Sequence, residues 1–183
     1  MHRIIAFILC GLLSLTLAAC ASKDEKAGAG AANTSSNQNE SAAGATKSPP
    51  ADVVRAESES VEIAAGGSTD AVVLLTIAEG YHINANPATL SYQIATQVNV
   101  EPSEGLTVGQ PVYPSSMMRK FAFEPQPFAV YEGKAPIRLP LRAEAGAARG
   151  AHTLKAKVRV QACDDQACYM PRTLNISIPV NVK

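Results

Sequence analysis

From residue 60 onward, apolar and polar residues alternate in short runs, the period of strands with one face buried. The clearest run precedes Cys163: Leu154, Ala156, Val158 and Val160 point one way, and Lys155, Lys157, Arg159 and Gln161 the other. After Pro171 a second run sets Leu174, Ile176, Ile178 and Val180 on one face, with Asn175 and Ser177 opposite. Two such runs joined by a short polar segment predict a hairpin with Cys163 and Cys168 flanking its turn. Upstream, residues 60–63 alternate. Residues 70–78, with Val72, Val73, Leu74, Leu75, Thr76 and Ile77, predict a buried strand. Residues 90–100, carrying Tyr92, Ile94, Val98 and Val100, predict another, and 108–113, 121–123 and 137–141 complete the set. Turn signals at Gly66-Gly67, Gly80, Asn86-Pro87, Gly105, Gly133 and Gly146 separate the runs. Seven to nine short strands at this spacing predict an all-β sandwich. Pro111, Pro114, Pro125, Pro127, Pro136 and Pro140 are expected on edge strands and rim loops rather than in central ladders.

Composition narrows the function. Residues 51–183 form one domain, long enough for a single core, with 12 Lys and Arg against 13 Asp and Glu. A near-neutral balance without a basic patch argues against nucleic acid as a partner. No nucleotide-binding glycine motif is present, and no cofactor is expected.

The first residues are of another kind. His2 and Arg3 precede an apolar stretch, 4–17, too short to cross a bilayer comfortably. The segment ends Leu17-Ala18-Ala19-Cys20, which resembles a bacterial lipobox. That resemblance implies a lipoprotein signal peptide over residues 1–19, cleavage before Cys20 and lipidation (diacylation) of Cys20. The alternative is an ordinary signal peptide cut nearby. Either way the mature chain is exported, expected in the periplasm on a lipid anchor. Ala21, where an Asp would signal inner-membrane retention, leans the expectation toward the outer membrane. Residues 20–50 then form a linker of Ala, Gly, Ser, Asn, Thr and Lys without one Val, Ile, Leu or aromatic, so disorder is expected. As a flexible coil it would reach roughly 30 Å.

Of the four cysteines, Cys10 leaves with the leader and Cys20 carries lipid. Cys163 and Cys168 remain, and an oxidising compartment makes their disulfide the expected resting state. A bridge over so small a loop contributes roughly 2 kcal/mol at most, less than one joining distant strands. Three readings follow: a redox-active pair, a structural clip, or metal ligands. Two thiolates alone do not complete a tetrahedral metal site, so no metal is expected. Asp164 and Asp165 disfavour a free thiolate and are candidates for tuning the pair, or simple turn formers. The pair therefore suits attack as a disulfide.

Three segments together resemble the N-terminal periplasmic domain of the thiol:disulfide interchange protein family DsbD, also called disulfide bond corrector proteins. They are Gly80-Tyr81-His82-Ile83-Asn84-Ala85-Asn86-Pro87, Val130-Tyr131-Glu132-Gly133-Lys134, and Gln161-Ala162-Cys163 through Cys168-Tyr169-Met170-Pro171. The resemblance implies an immunoglobulin-like β-sandwich. It implies that Cys163 and Cys168 are the catalytic pair, carrying electrons between a thioredoxin-like donor and exported disulfide-containing clients, with Cys168 facing the donor. It also implies a cap loop with an aromatic residue beside Gly-Lys, for which Tyr131, Gly133, Lys134 and the neighbouring Phe128 are the candidates. Relatives continue into membrane-spanning and thioredoxin-like domains, so a donor on a separate polypeptide is expected here.

Other residues fit less specific roles. His82 is expected to be a hydrogen-bonded residue organising its loop, the alternative being a proton donor or ligand near the thiols. Met117, Met118 and Met170 raise a copper chaperone, but adjacent methionines on a strand point to opposite faces, and packing is the expectation. The rival from another class is a lipid-anchored binding or assembly sandwich in which the bridge only pins a hairpin.

Overall fold

The computed structural model describes residues 48–183. The expected signal peptide, lipidated Cys20 and all of the linker up to residue 47 lie outside the described residues. Among the described residues every regular element is a strand: β1 (Val54–Ser58), β2 (Val61–Ile63), β3 (Ser68–Ile77), β4 (His82–Asn84), β5 (Gln97–Val100), β6 (Leu106–Val108), β7 (Met117–Phe121), β8 (Glu124–Tyr131), β9 (Lys134–Ala143), β10 (Gly150–Val160), β11 (Ala162–Cys163) and β12 (Arg172–Val182). No helix among them is long and apolar enough to cross a membrane.

Two four-stranded sheets, β1-β3-β9-β6 and β2-β12-β10-β5, supply the core. Alternation decides what they bury. Ala71, Val73, Leu75 and Ile77 of β3, Ile137, Leu139 and Leu141 of β9, and Leu154, Ala156, Val158 and Val160 of β10 pack in one cluster with Ile178, Val180 and Val182 of β12. The chain enters by switching sheets: β1 pairs with β3, and after Glu59-Ser60, β2 runs parallel to β12. At about 25 cal/mol per Å² of apolar surface, this shared layer is the main stabilising term.

A third sheet, β11-β4-β8-β7, positions the site. Three of its strands are short continuations of sandwich strands. β4 follows β3 through a turn with Gly80 at φ 80°, β8 leads into β9 through Gly133 at φ 62°, and β11 follows β10 after Gln161 alone. A β-carbon is strained at such positive φ, which is why glycine holds both turns. The third sheet therefore lies at the sandwich end where β3 and β10 finish and β9 begins.

Several expectations need correction. Residues 70–78 are buried on one face only, and Val72 is exposed. Only Gln97–Val100 of the expected strand 90–100 is a strand. In 88–96 several backbone groups bond to side chains instead: the Leu90 N–H to Gln93, and the Ile94 N–H to Gln161 and its C=O to Asn84. Residues 109–113 keep a single bridge, Val112 to Arg138. Ala122 and Phe123 form the turn between β7 and β8, whose ends pair as Phe121 with Glu124. Pro136 and Pro140 lie within β9, an inner strand. Arg138 exchanges both backbone bonds with Val112, so these prolines, of the same parity, turn their nitrogens to that sparsely paired side and spare the β3 ladder.

Candidate functional site around the Cys163–Cys168 disulfide

The hairpin expected from the sequence exists, but its connection does more than turn. β10 and β12 pair in unbroken register from Gly150↔Val182 to Val160↔Arg172. Beyond Val160 the chain leaves that sheet, and Ala162 and Cys163 pair with Ile83 and His82 of β4. The chain folds back at once, so that Cys163 and Cys168 lie opposite each other, Cα atoms 3.9 Å apart, and are joined by a disulfide. Two backbone bonds bracket the pair: Asp164 N–H to the Ala167 carbonyl at 3.0 Å, and Tyr169 N–H to the Ala162 carbonyl at 2.8 Å.

The four-residue insert is built around Asp164. Its Oδ1 accepts from the N–H groups of Gln166 (2.8 Å) and Ala167 (2.9 Å), and its Oδ2 accepts the Tyr169 hydroxyl at 2.5 Å. These bonds, led by the one from Tyr169, hold the Asp164 carboxyl below the usual carboxylate range. The same contact pushes the Tyr169 phenol up to about 12. Asp164 thus acts as a turn former as well as a charge near the sulfurs, while Asp165 is exposed and faces the neighbouring cleft.

The two sulfurs differ in access. Cys163 is fully buried, whereas Cys168 is half-buried at the rim. Partners across an antiparallel ladder share a face, so the third sheet has two distinct sides. Ala162, Ile83 and Tyr131 face the main core. Cys163, His82, Asn84 and Val130 face the other way, where Phe121, Phe128 and Val130 form a second small apolar cluster. A bulge between Arg119 and Phe121 curls the β7–β8 hairpin over this side. The Phe121 ring stacks on His82 at 4.0 Å and 14°, and Phe123 and Phe128 pack around it.

Phe121 thus covers His82, with Phe123 stacked on Phe121, and neither is among the expected cap residues. Phe128 is in the cluster but wholly buried beneath it. Tyr131 is a core residue whose hydroxyl bonds both the N–H and the C=O of Asn86. Gly133 is the turn into β9, and Lys134 opens that strand, exposed. A cleft of about 530 Å³, lined by Tyr81, His82, Arg119, Phe121, Glu132 and Asp165 among others, opens beside the cover. Arg119 and Glu132 form an ion pair in it at 3.0 Å.

His82 is not the hydrogen-bonded loop residue expected. It lies in β4, and its Nε2 is buried without a partner. Burial, helped by Arg119 and opposed by Asp165 and Asp164, pulls its pKa down to about 4, so the ring is neutral at pH 7. Gln161 is likewise more than an outward strand residue. Its Oε1 accepts from Asn84 Nδ2 (3.1 Å) and the Ile94 N–H (3.2 Å), and its Nε2 donates to the Tyr169 carbonyl (3.1 Å). Met117, Met118 and Met170 are all exposed rather than packed, and among the described residues no group of three or more His, Cys, Asp or Glu is placed to hold a metal ion.

A disulfide at a rim, with one cysteine half-buried and the other sealed, is an arrangement that suits thiol–disulfide exchange. The family described as "Thiol:disulfide interchange protein DsbD, N-terminal" matches residues 50–179. The chain belongs to this family. Membership supports a thiol–disulfide exchange module and agrees with the all-β, immunoglobulin-like architecture. The chain is similar to the reduced DsbD N-terminal domain of Neisseria meningitidis, with 22% identity, 73% of this chain and 90% of that one covered, and a TM-score of 0.48. It is also similar to the N-terminal periplasmic domain of ScsB from Proteus mirabilis, with 14% identity, 68% and 44% covered, and a TM-score of 0.47. It thus spans less than half of that second structure. No curated protein sequence matches the chain significantly.

Proposed function

We propose that this chain is a lipid-anchored periplasmic exchange module that accepts electrons from a thioredoxin-like donor and passes them to exported, disulfide-containing proteins. A donor thiolate attacks the Cys168 sulfur, the S–S bond breaks, and its electron pair leaves on Cys163. The donor's second thiol resolves the mixed disulfide, so two electrons and two protons end on the Cys163–Cys168 dithiol. The dithiol reduces a client by the same steps in reverse. Cys20 carries the anchor, with the outer membrane the favoured location, and residues up to about 50 are the tether. The β7–β8 hairpin is the cap, and Phe121 and Phe123 shield the bond from thiols other than the partner's.

The observation that carries this reading is that the bond closes only a short insert whose ends are already held by backbone bonds and the β10–β12 ladder. Such a bond adds little to the fold, while its half-buried end lies at the rim, on the side a partner would approach. Its reduction potential tests the reading. A value of about −180 to −270 mV fits an exchange protein, and one below about −300 mV fits a structural bridge and would overturn it. For the anchor, Cys20→Ala is expected to move the protein from the membrane to the soluble fraction; unchanged fractionation would refute lipidation there.

A further inference from the structure

His82 is the buried polar group that the exchange steps leave unused. It is 2% exposed, and its Nε2 finds no acceptor or donor. A buried unsatisfied nitrogen costs stability, about 1–3 kcal/mol in general, and an apolar ring of similar shape would pack there without that cost. Its position is specific. His82 is the direct cross-strand partner of Cys163, so the two side chains rise from the same face of the third sheet. Stacking on Phe121 fixes the plane of the imidazole.

We propose that His82 is the hydrogen-bond partner of the Cys163 sulfur during exchange, donating an imidazole N–H to the thiolate that forms when the disulfide opens. This rests on the reading of the pair as an exchange site. When a donor thiolate bonds to Cys168, the departing electron pair makes Cys163 an anion with no water to solvate it. Burial alone would raise the energy of that thiolate. The neutral imidazole, with one N–H to give, stabilises the charge until the proton released by the donor's second thiol reaches Cys163. In the resting disulfide no charge is present, and the nitrogen waits without a partner. The charged groups facing the imidazole are Asp164 and Asp165 from the insert and Arg119 from β7, with Glu132 paired to Arg119.

The test compares wild type with His82→Phe, which keeps a ring for Phe121 to stack on but removes both nitrogens. Two quantities are read: the rate of reduction by a bacterial thioredoxin, and the pKa of the Cys163 thiol followed by thiolate absorbance in a Cys168→Ser background. The Phe variant is expected to fold with an unchanged or higher denaturation midpoint. Its reduction should be about tenfold to a hundredfold slower, the range of one hydrogen bond to a charged group, and the Cys163 pKa should rise. His82→Gln, which restores an N–H donor, is expected to recover part of the rate. Should Phe not be accommodated, His82→Leu provides the same two readings. Wild-type rate and thiol pKa in the variant that folds would overturn the proposal. Failure of thioredoxin to reduce the wild type would instead overturn the exchange reading itself.

Discussion

The Tyr169 hydroxyl donates to the Asp164 carboxylate at 2.5 Å, closing a ring of contacts around the Cys163–Cys168 bond. Two titrations report on this link. The folded Asp164 pKa is depressed, so its contribution is fully present above the unfolded carboxylate range and is lost as pH falls through the lower folded value. The insert is therefore expected to loosen in acid, below about pH 4. Hydrogen exchange at Gln166 and Ala167, whose N–H groups Asp164 holds, should report the loosening. At the other extreme, one tyrosine should titrate near 12 by ultraviolet absorbance. In Asp164→Ala that late titration should disappear, and its persistence would show that another group holds the Tyr169 proton.

Removing the disulfide should hardly weaken the fold. Chain entropy allows about 2 kcal/mol for a loop of this size. The β10–β12 ladder and the two bracketing backbone bonds supply part of that ordering already. Cys163→Ala/Cys168→Ala, or reduction of the wild type, is expected to lower stability by less than about 2 kcal/mol. Urea denaturation with and without reductant measures this, and a loss of about 4 kcal/mol, the value for a bridge over a long loop, would mark the bond as a staple.

What could be read from the sequence follows where backbone bonds go. β10 and β12 are fully paired strands with one buried face, so period two exposes them residue by residue. Residues 88–96 have the apolar content of a strand, but Gln93, Asn84 and Gln161 take their backbone groups, and those partners lie up to 67 positions away. The β7–β8 turn was hidden for a related reason. Phe121-Ala122-Phe123 alternates like a strand, and its two-residue turn contains no Gly, Pro, Asn or Asp to announce it. The bulge after Arg119, which carries Phe121 onto His82, leaves no mark in a periodicity.

Gln161 gave one signal: it follows the outward run Lys155, Lys157 and Arg159 and breaks that run of cations with an uncharged amide. Its amide ties β4, residue 94 and the insert together. Gln161→Leu keeps the bulk but leaves Asn84 Nδ2, the Ile94 N–H and the Tyr169 carbonyl short of partners. Each unsatisfied buried group costs about 1–3 kcal/mol, and these are only part-buried, so a loss of about 2 kcal/mol is expected. Hydrogen exchange should rise first at Ile94. Unchanged protection there would mean the amide holds nothing in place.

The last prediction separates shielding from recognition. Phe121 covers His82, the neighbour of Cys163, and Phe123 leans on both Phe121 and Phe128 from the exposed turn. Phe123→Ala removes the outer ring at little cost to the core. A small thiol such as dithiothreitol reaches a disulfide at a rate set by access as well as by thiolate content. Reduction by dithiothreitol is therefore expected to accelerate several-fold in Phe123→Ala, and further in Phe121→Ala, which uncovers the imidazole. A thioredoxin that displaces the hairpin on docking should gain much less, so the ratio of protein to small-thiol rates should fall. Equal acceleration for both reductants would make the hairpin a passive lid. No acceleration for either would mean that the approach to Cys168 lies open past the aromatic cluster.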